Sequence, residues 1–264
     1  MKNSTIKIRK ETSGIKPMNF ATSILYFGIP AILMIIGFHV IMPVLINHGL
    51  APFYAYFVGL GTPLAFMIVA SLVAFVKEGN MLTWKTLSER FRLYRLSGKM
   101  WLFTIVAFIG IIILYGVTIK LNMALINSNI IPMPESLPSW LDTSKEISLS
   151  AMDQAFGGLS GNIMALIAFL VFLFFNIIGE EFWWRGYILP RQELVFGKHV
   201  WYIHGLMWAF FHAFKWWDIL SIIPLTLILT FIVWKYKNNT IGIILHFLIN
   251  GIGLIPIILG ILST

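Results

Sequence analysis

A membrane-spanning helix needs roughly 20 apolar residues, and this chain supplies such runs one after another. They cover 21–47, 52–76, 101–119, 161–190, 198–215, 219–236 and 240–262. The seven runs predict an all-α, polytopic membrane helix bundle. Seven to eight transmembrane helices are expected, the eighth if one long segment breaks in two. Composition argues against a soluble fold: 58% of the 264 residues are hydrophobic and only 11% charged, against roughly 25% charged in soluble domains. A soluble surface of this size could not hide the excess, so the lipid bilayer is the expected partner. The 22 phenylalanines and 10 tryptophans suit aromatic belts at its interfaces.

The net charge of +8 resembles a nucleic-acid signal, but its placement argues against one. Lys2, Lys7, Arg9, Lys10 and Lys16 precede the first run. Lys77, Lys85, Arg90, Arg92, Arg95 and Lys99 fill the loop 77–100. Arg191 and Lys198, then Lys235 and Lys237, flank two later turns. The loop 120–160 is different, with Lys120 and Lys145 against Glu135, Asp142, Glu146 and Asp153. Every second loop is basic. The positive-inside rule then puts the N-terminus in the cytoplasm and, with seven spans, the C-terminus outside. No nucleic-acid partner is expected.

Residues 1–20 read as a cytoplasmic basic segment and 21–264 as a single transmembrane bundle. The first apolar run is too long for a signal-peptide core and contains Pro30, so it reads as an uncleaved span. Pro132, Pro134 and Pro138 prevent the loop 120–160 from being one helix. It reads as an ordinary external loop, with a lid or interfacial element as the other option. No internal repeat is evident. The absence of cysteine excludes disulfides, thiolate zinc sites and a cysteine nucleophile.

Ionisable groups inside apolar spans mark functional sites, because each costs several kcal/mol unless paired or hydrated. Glu180 and Glu181 follow the apolar stretch 163–178. Arg185 lies one helical turn after Glu181, where an ion pair can form. Glu180 has only Trp183 and Trp184 at the matching positions, which leaves its carboxylate free for chemistry. Without a catalytic role, both glutamates would simply cap the end of a span. His204, Trp208 and His212 share one helical face, as do His246 and Asn250. His204 and His39 read as packed, hydrogen-bonded histidines. With Arg191, Lys198 and Asn239 as the cytoplasmic edge, Glu180 lies ~16 Å in, His212 ~21 Å and His246 ~10 Å. A common site then requires the turn near 215–218 to dip below the outer surface.

The pattern Glu180-Glu181-Phe-Trp-Trp-Arg185 matches EExxxR. Trp208-x-x-x-His212 resembles FxxxH, with Trp where Phe is usual, and His246-x-x-x-Asn250 matches HxxxN. In this order and in apolar spans, the three resemble the CPBP family, also called the Abi or type II CAAX protease family. The resemblance covers roughly 160–255. It implies an all-helical intramembrane endopeptidase acting on a membrane-associated, lipidated or prenylated peptide or protein. Glu180 and His212 would activate water, and His246 and Asn250 would stabilise the oxyanion. Glu181, Arg185 and Trp208 would support them. The chemistry agrees: a carboxylate in low dielectric is a better base, and fixed donors suit an oxyanion where water is scarce.

The resemblance leaves the cofactor open between none and Zn2+. Glu180, His212 and His246 could form a two-histidine, one-carboxylate shell. The reading leans to a metal-free glutamate protease, since no HExxH helix supplies two ligands and a separate base. Two rivals compete with this family. Gly158-Leu159-Ser160-Gly161 matches the GxSG of rhomboid serine proteases, although Ser160 also reads as a helix cap. A non-catalytic transporter, immunity or scaffold protein could use the same polar core. An aspartyl protease is excluded because Asp142, Asp153 and Asp218 all lie outside the apolar runs. The small size suggests a bacterial cell membrane.

Overall fold

The computed structural model describes residues 14–135, 137–146 and 148–263; Lys2, Lys7, Arg9 and Lys10 lie outside the described residues. Among the described residues all regular structure is helical. Helix α1 (Phe20–Ile36) starts at Asn19, whose side chain accepts the Thr22 N–H. It continues through a π-helical turn, Gly37–Ile41, into α2 (Met42–Asn47). Then follow α3 (Pro52–Lys77), α4 (Trp84–Arg90) and α5 (Gly98–Asn127). The segment after α5 holds a 3-10 turn, Ser139–Leu141, and the short helix α6 (Leu149–Phe156).

Helix α7 (Ile163–Glu180) passes into a π-helical segment, Glu181–Ile188, and then α8 (Leu189–Phe196). Helix α9 (Val200–Phe211) leads through the 3-10 turn His212–Asp218 into α10 (Ile219–Tyr236). Helix α11 (Asn239–Asn250) and α12 (Leu254–Leu262) complete the bundle. Helix α7 is capped by Asn162, whose side chain accepts the Ala165 N–H at 3.1 Å. The expected cap, Ser160, instead donates its hydroxyl to the Ser263 carbonyl.

Among the described residues, five helices are long and apolar enough to cross a membrane: Phe20–Asn47, Pro52–Lys77, Gly98–Asn127, Ile163–Tyr236 and Asn239–Leu262. The expected count of seven to eight is not confirmed. Three of the predicted runs, 161–190, 198–215 and 219–236, fall inside one helical stretch of 74 residues. That stretch turns at Gly197, with φ of 54°, and at Lys215, with φ of −123° and ψ of 62°. Between these turns α9 has 12 residues, a rise of roughly 18 Å, too short for a bilayer core of roughly 30 Å. The long helices expose apolar side chains such as Leu25, Ile109 and Phe174, a surface suited to lipid. The chain is an integral membrane protein.

Small residues bring these helices together backbone to backbone. A Cβ on Gly37 would lie 2.1 Å from the Gly59 carbonyl oxygen, and one on Gly179 would lie 2.6 Å from that of Leu64. Gly179 thus seats the end of α7 against α3 and fixes the depth of the neighbouring Glu180. The basic loop 77–100 is also tied in. Arg90 binds Glu78 at 2.8 and 3.0 Å, and Arg191 binds the same carboxylate. Arg92 binds Glu193 at 2.8 and 3.0 Å, and the Arg92 carbonyl accepts the Asn239 N–H.

Candidate active site

Glu180 is the last residue of α7 and is almost fully buried. Its carboxylate is not left free of partners, as the helix alone suggested. Oε2 accepts the Trp208 indole N–H at 2.5 Å, and Oε1 accepts an N–H of Asn176 at 2.8 Å. Asn176 stands one turn earlier on α7, and its carbonyl oxygen accepts from Asn250 Nδ2 at 2.6 Å. A carboxylate only accepts, so it orients the Asn176 amide, which in turn orients Asn250. The chain Asn250–Asn176–Glu180–Trp208 therefore links α11, α7 and α9.

Glu181 opens the π-helical segment and faces elsewhere. Its Oε1 is 3.0 Å from an Arg185 guanidinium nitrogen, the expected pair. The same oxygen accepts the Nδ1–H of His246 at 2.8 Å, a contact invisible in the sequence. Arg185 also lies 3.5 Å from the centre of the Trp208 ring, a buried cation–π contact. Gly242 leaves room for this carboxylate: a Cβ there would lie 2.9 Å from Glu181 Oε2. The Glu181 carbonyl accepts from Asn239 Nδ2 at 3.0 Å. Asn239 is therefore level with Glu181 rather than with Arg191, and the common edge assumed for the depth estimate is corrected. Helix α11 begins within the protein, where the loop 77–100 receives it.

His212 Nδ1 lies 2.9 Å from the Trp208 carbonyl oxygen. A carbonyl only accepts, so Nδ1 carries the proton, and Nε2 of the neutral ring holds the lone pair. Glu180, Trp208, His212, His246 and Asn250 all line one partly open cavity of about 280 Å³. Glu181 and Arg185 lie behind that wall and hold His246 and Trp208 in place. Tyr56, Trp140, Lys215 and Asp218 are among the other polar residues of the lining. Lys215 and Asp218, on the turn at 215–218, face this cavity. Trp140, from the loop expected to be external, also reaches it.

His204 is a buried, hydrogen-bonded group, as expected, whereas His39 is hydrogen-bonded but exposed. His204 Nδ1 is 2.6 Å from Gln192 Oε1, and His39 Nε2 is 2.9 Å from the Phe214 carbonyl. Ser160, the rhomboid candidate, is not among the residues lining the cavity. Sequence reasoning missed Asn176, although an amide inside the run 163–178 was a readable signal.

Residues 162–252 match the family model described as type II CAAX prenyl endopeptidase Rce1-like. The CPBP resemblance carried by Glu180-Glu181, His212 and His246 is shown. The matched third of the chain holds every motif residue, and the family is one of CAAX-type intramembrane proteases. No curated protein and no solved structure matches the chain.

Glu180, His212 and His246 were also the candidate zinc ligands. Among the described residues, no group of three or more His, Asp or Glu comes together to hold a metal ion. Both Glu180 oxygens are engaged by N–H donors.

Proposed function

We propose that this protein is a metal-free intramembrane endopeptidase that cleaves a membrane-associated, prenylated peptide or protein. The observation carrying this reading is that Glu180, His212, His246 and Asn250, from three helical segments, line one cavity inside an apolar bundle.

A water between Glu180 and His212 attacks the scissile carbonyl. A carboxylate has about four acceptor sites, so Glu180 can accept a water proton beside its two fixed N–H partners. His212 Nε2 offers a second acceptor and can return a proton to the leaving amine. Asn250 uses one N–H on Asn176 and keeps another for the oxyanion. His246 donates Nδ1–H to Glu181, so it can donate to the oxyanion only from Nε2 as an imidazolium. Fixed donors of this kind act strongly where water is excluded. Cleavage sits in the cell membrane, with the N-terminus placed on the cytoplasmic side.

The test is Glu180→Gln and His212→Ala in purified protein with a fluorogenic prenylated peptide. General acid–base groups contribute about 10²–10⁴ in rate, and losses of that size are expected. If both variants cleave as fast as the parent, the assignment fails.

A further inference from the structure

A second hollow lies away from the candidate site, on the outer face of the bundle between α1 and α9. It has a volume of about 450 Å³ and runs from Phe20 to Ala31 on one wall and from Tyr202 to Phe211 on the other. The groove is open at Gly28, where an added Cβ would meet no atom within 4 Å. Among the described lining residues, only Tyr202 carries a hydroxyl. Gln192 ties the starts of the two helices together, donating to Ser23 at 2.9 Å and bonding His204 at 2.6 Å. Further along, Met34 of α1 and His212, just after α9, line one cavity. The two helices therefore run in the same direction, and both start at one end of the groove. Lys16 and Lys198 stand exposed just before those starts. The His199 ring packs edge-on against Tyr202 at 5.7 Å. No acidic residue occurs in 12–77 or in 194–217.

We propose that this groove binds one anionic phospholipid, with an acyl chain between α1 and α9 and its phosphate at the end marked by Lys16 and Lys198. Length agrees. Phe20 to Ala31 rises roughly 16 Å, about half of a hydrocarbon core of roughly 30 Å. The groove thus has the depth of one leaflet, with its cations where a headgroup sits. A zwitterionic headgroup brings a second cation beside the two lysines, whereas an anionic one neutralises them. Tyr202 adds a hydroxyl donor near the same end. The proposed orientation puts that end in the cytoplasmic leaflet, where anionic lipids concentrate. Lipid binding here requires only the membrane fold and not the protease activity.

The experiment places the full chain in phosphatidylcholine vesicles with a trace of phosphatidylglycerol carrying a photoreactive acyl chain, or of the matching phosphatidylcholine probe. Cross-links are mapped and counted by peptide mass spectrometry. The phosphatidylglycerol probe is expected to label 20–31 and 202–211 about tenfold more than the phosphatidylcholine probe, the scale of two lysines beside an anionic headgroup. Lys16→Gln combined with Lys198→Gln, both at exposed positions, is expected to fold as the parent does and to lose that preference. Gly28→Leu fills the groove and is expected to lose labelling by both probes. Equal labelling by the two probes in the parent, or an unchanged preference in the double lysine variant, overturns the proposal. So does a dimer that covers the groove and excludes both probes. Labelling of these segments by a photoreactive prenylated peptide and not by phosphatidylglycerol gives the groove to the substrate and overturns it as well.

Discussion

Glu181 and His246, 65 residues apart in the chain, meet at 2.8 Å. The carboxylate oxygen that accepts the imidazole N–H also faces Arg185 at 3.0 Å. One buried group therefore sets the tautomer of a cavity histidine and neutralises a guanidinium that would otherwise be unpaired. Adjacent glutamates divide the work because the chain changes helix type between them. Glu180 ends an α-helix facing the cavity, and Glu181 begins the π-helical turn behind it. Such turns recur at functional sites.

Removing the Glu181 charge should therefore cost stability as well as activity. Breaking a buried ion pair by deleting one partner costs about 3–5 kcal/mol. Glu181→Gln is expected to lower the thermal midpoint of the detergent-solubilised protein sharply, whereas Glu180→Gln lowers it little. Equal midpoints for the two variants would remove Glu181 from its structural role.

Trp208→Phe separates two functions of one side chain. The ring remains under Arg185, but the N–H to Glu180 is lost. A hydrogen bond to a charged group contributes about 1.5–3 kcal/mol. The variant should fold and cleave at least about tenfold more slowly. Unchanged cleavage would show that Trp208 serves only as a platform.

Asn176 was not read from the motifs, yet it joins Glu180 to Asn250. In Asn176→Leu both partners lose orientation, and kcat should fall about tenfold or more while prenylated-peptide binding changes little. A pure binding defect would argue against this positioning role.

Gly179→Ala tests the seating of the site. The added methyl would meet the Leu64 backbone, which cannot rotate away. Overpacking costs about 1–3 kcal/mol, and displacement of Glu180 should depress activity as well. Gly110, with no atom within 4 Å of an added Cβ, is the control expected to tolerate alanine.

Much of this site was legible in the chain. Single residues in wrong solvent stand out, so Glu180, Glu181, Arg185, His212, His246 and Asn250 were readable from apolar runs and one-turn spacing. The Glu181–Arg185 pair was also readable, being local to one helix. The helix count was not, because apolar length cannot tell a full span from a bent stretch such as 163–236. Glu180's indole partner was hidden for a related reason: Trp208 is 28 residues away. The cavity wall of Tyr56, Trp140, Lys215 and Asp218 carries no motif at all.

The sequence by itself determined that this is an all-helical membrane protein whose polar motifs resemble those of the type II CAAX protease family. Spacing and solvent preference are properties of short segments, and those suffice for that much. Only the tertiary structure decided that Glu181 bridges Arg185 and His246, that Asn176 links Glu180 to Asn250, and that Lys215 faces the same cavity. These contacts join helices far apart in the chain. Their geometry depends on how closely glycines such as Gly37 and Gly179 let the backbones approach, and a one-dimensional pattern does not encode that distance.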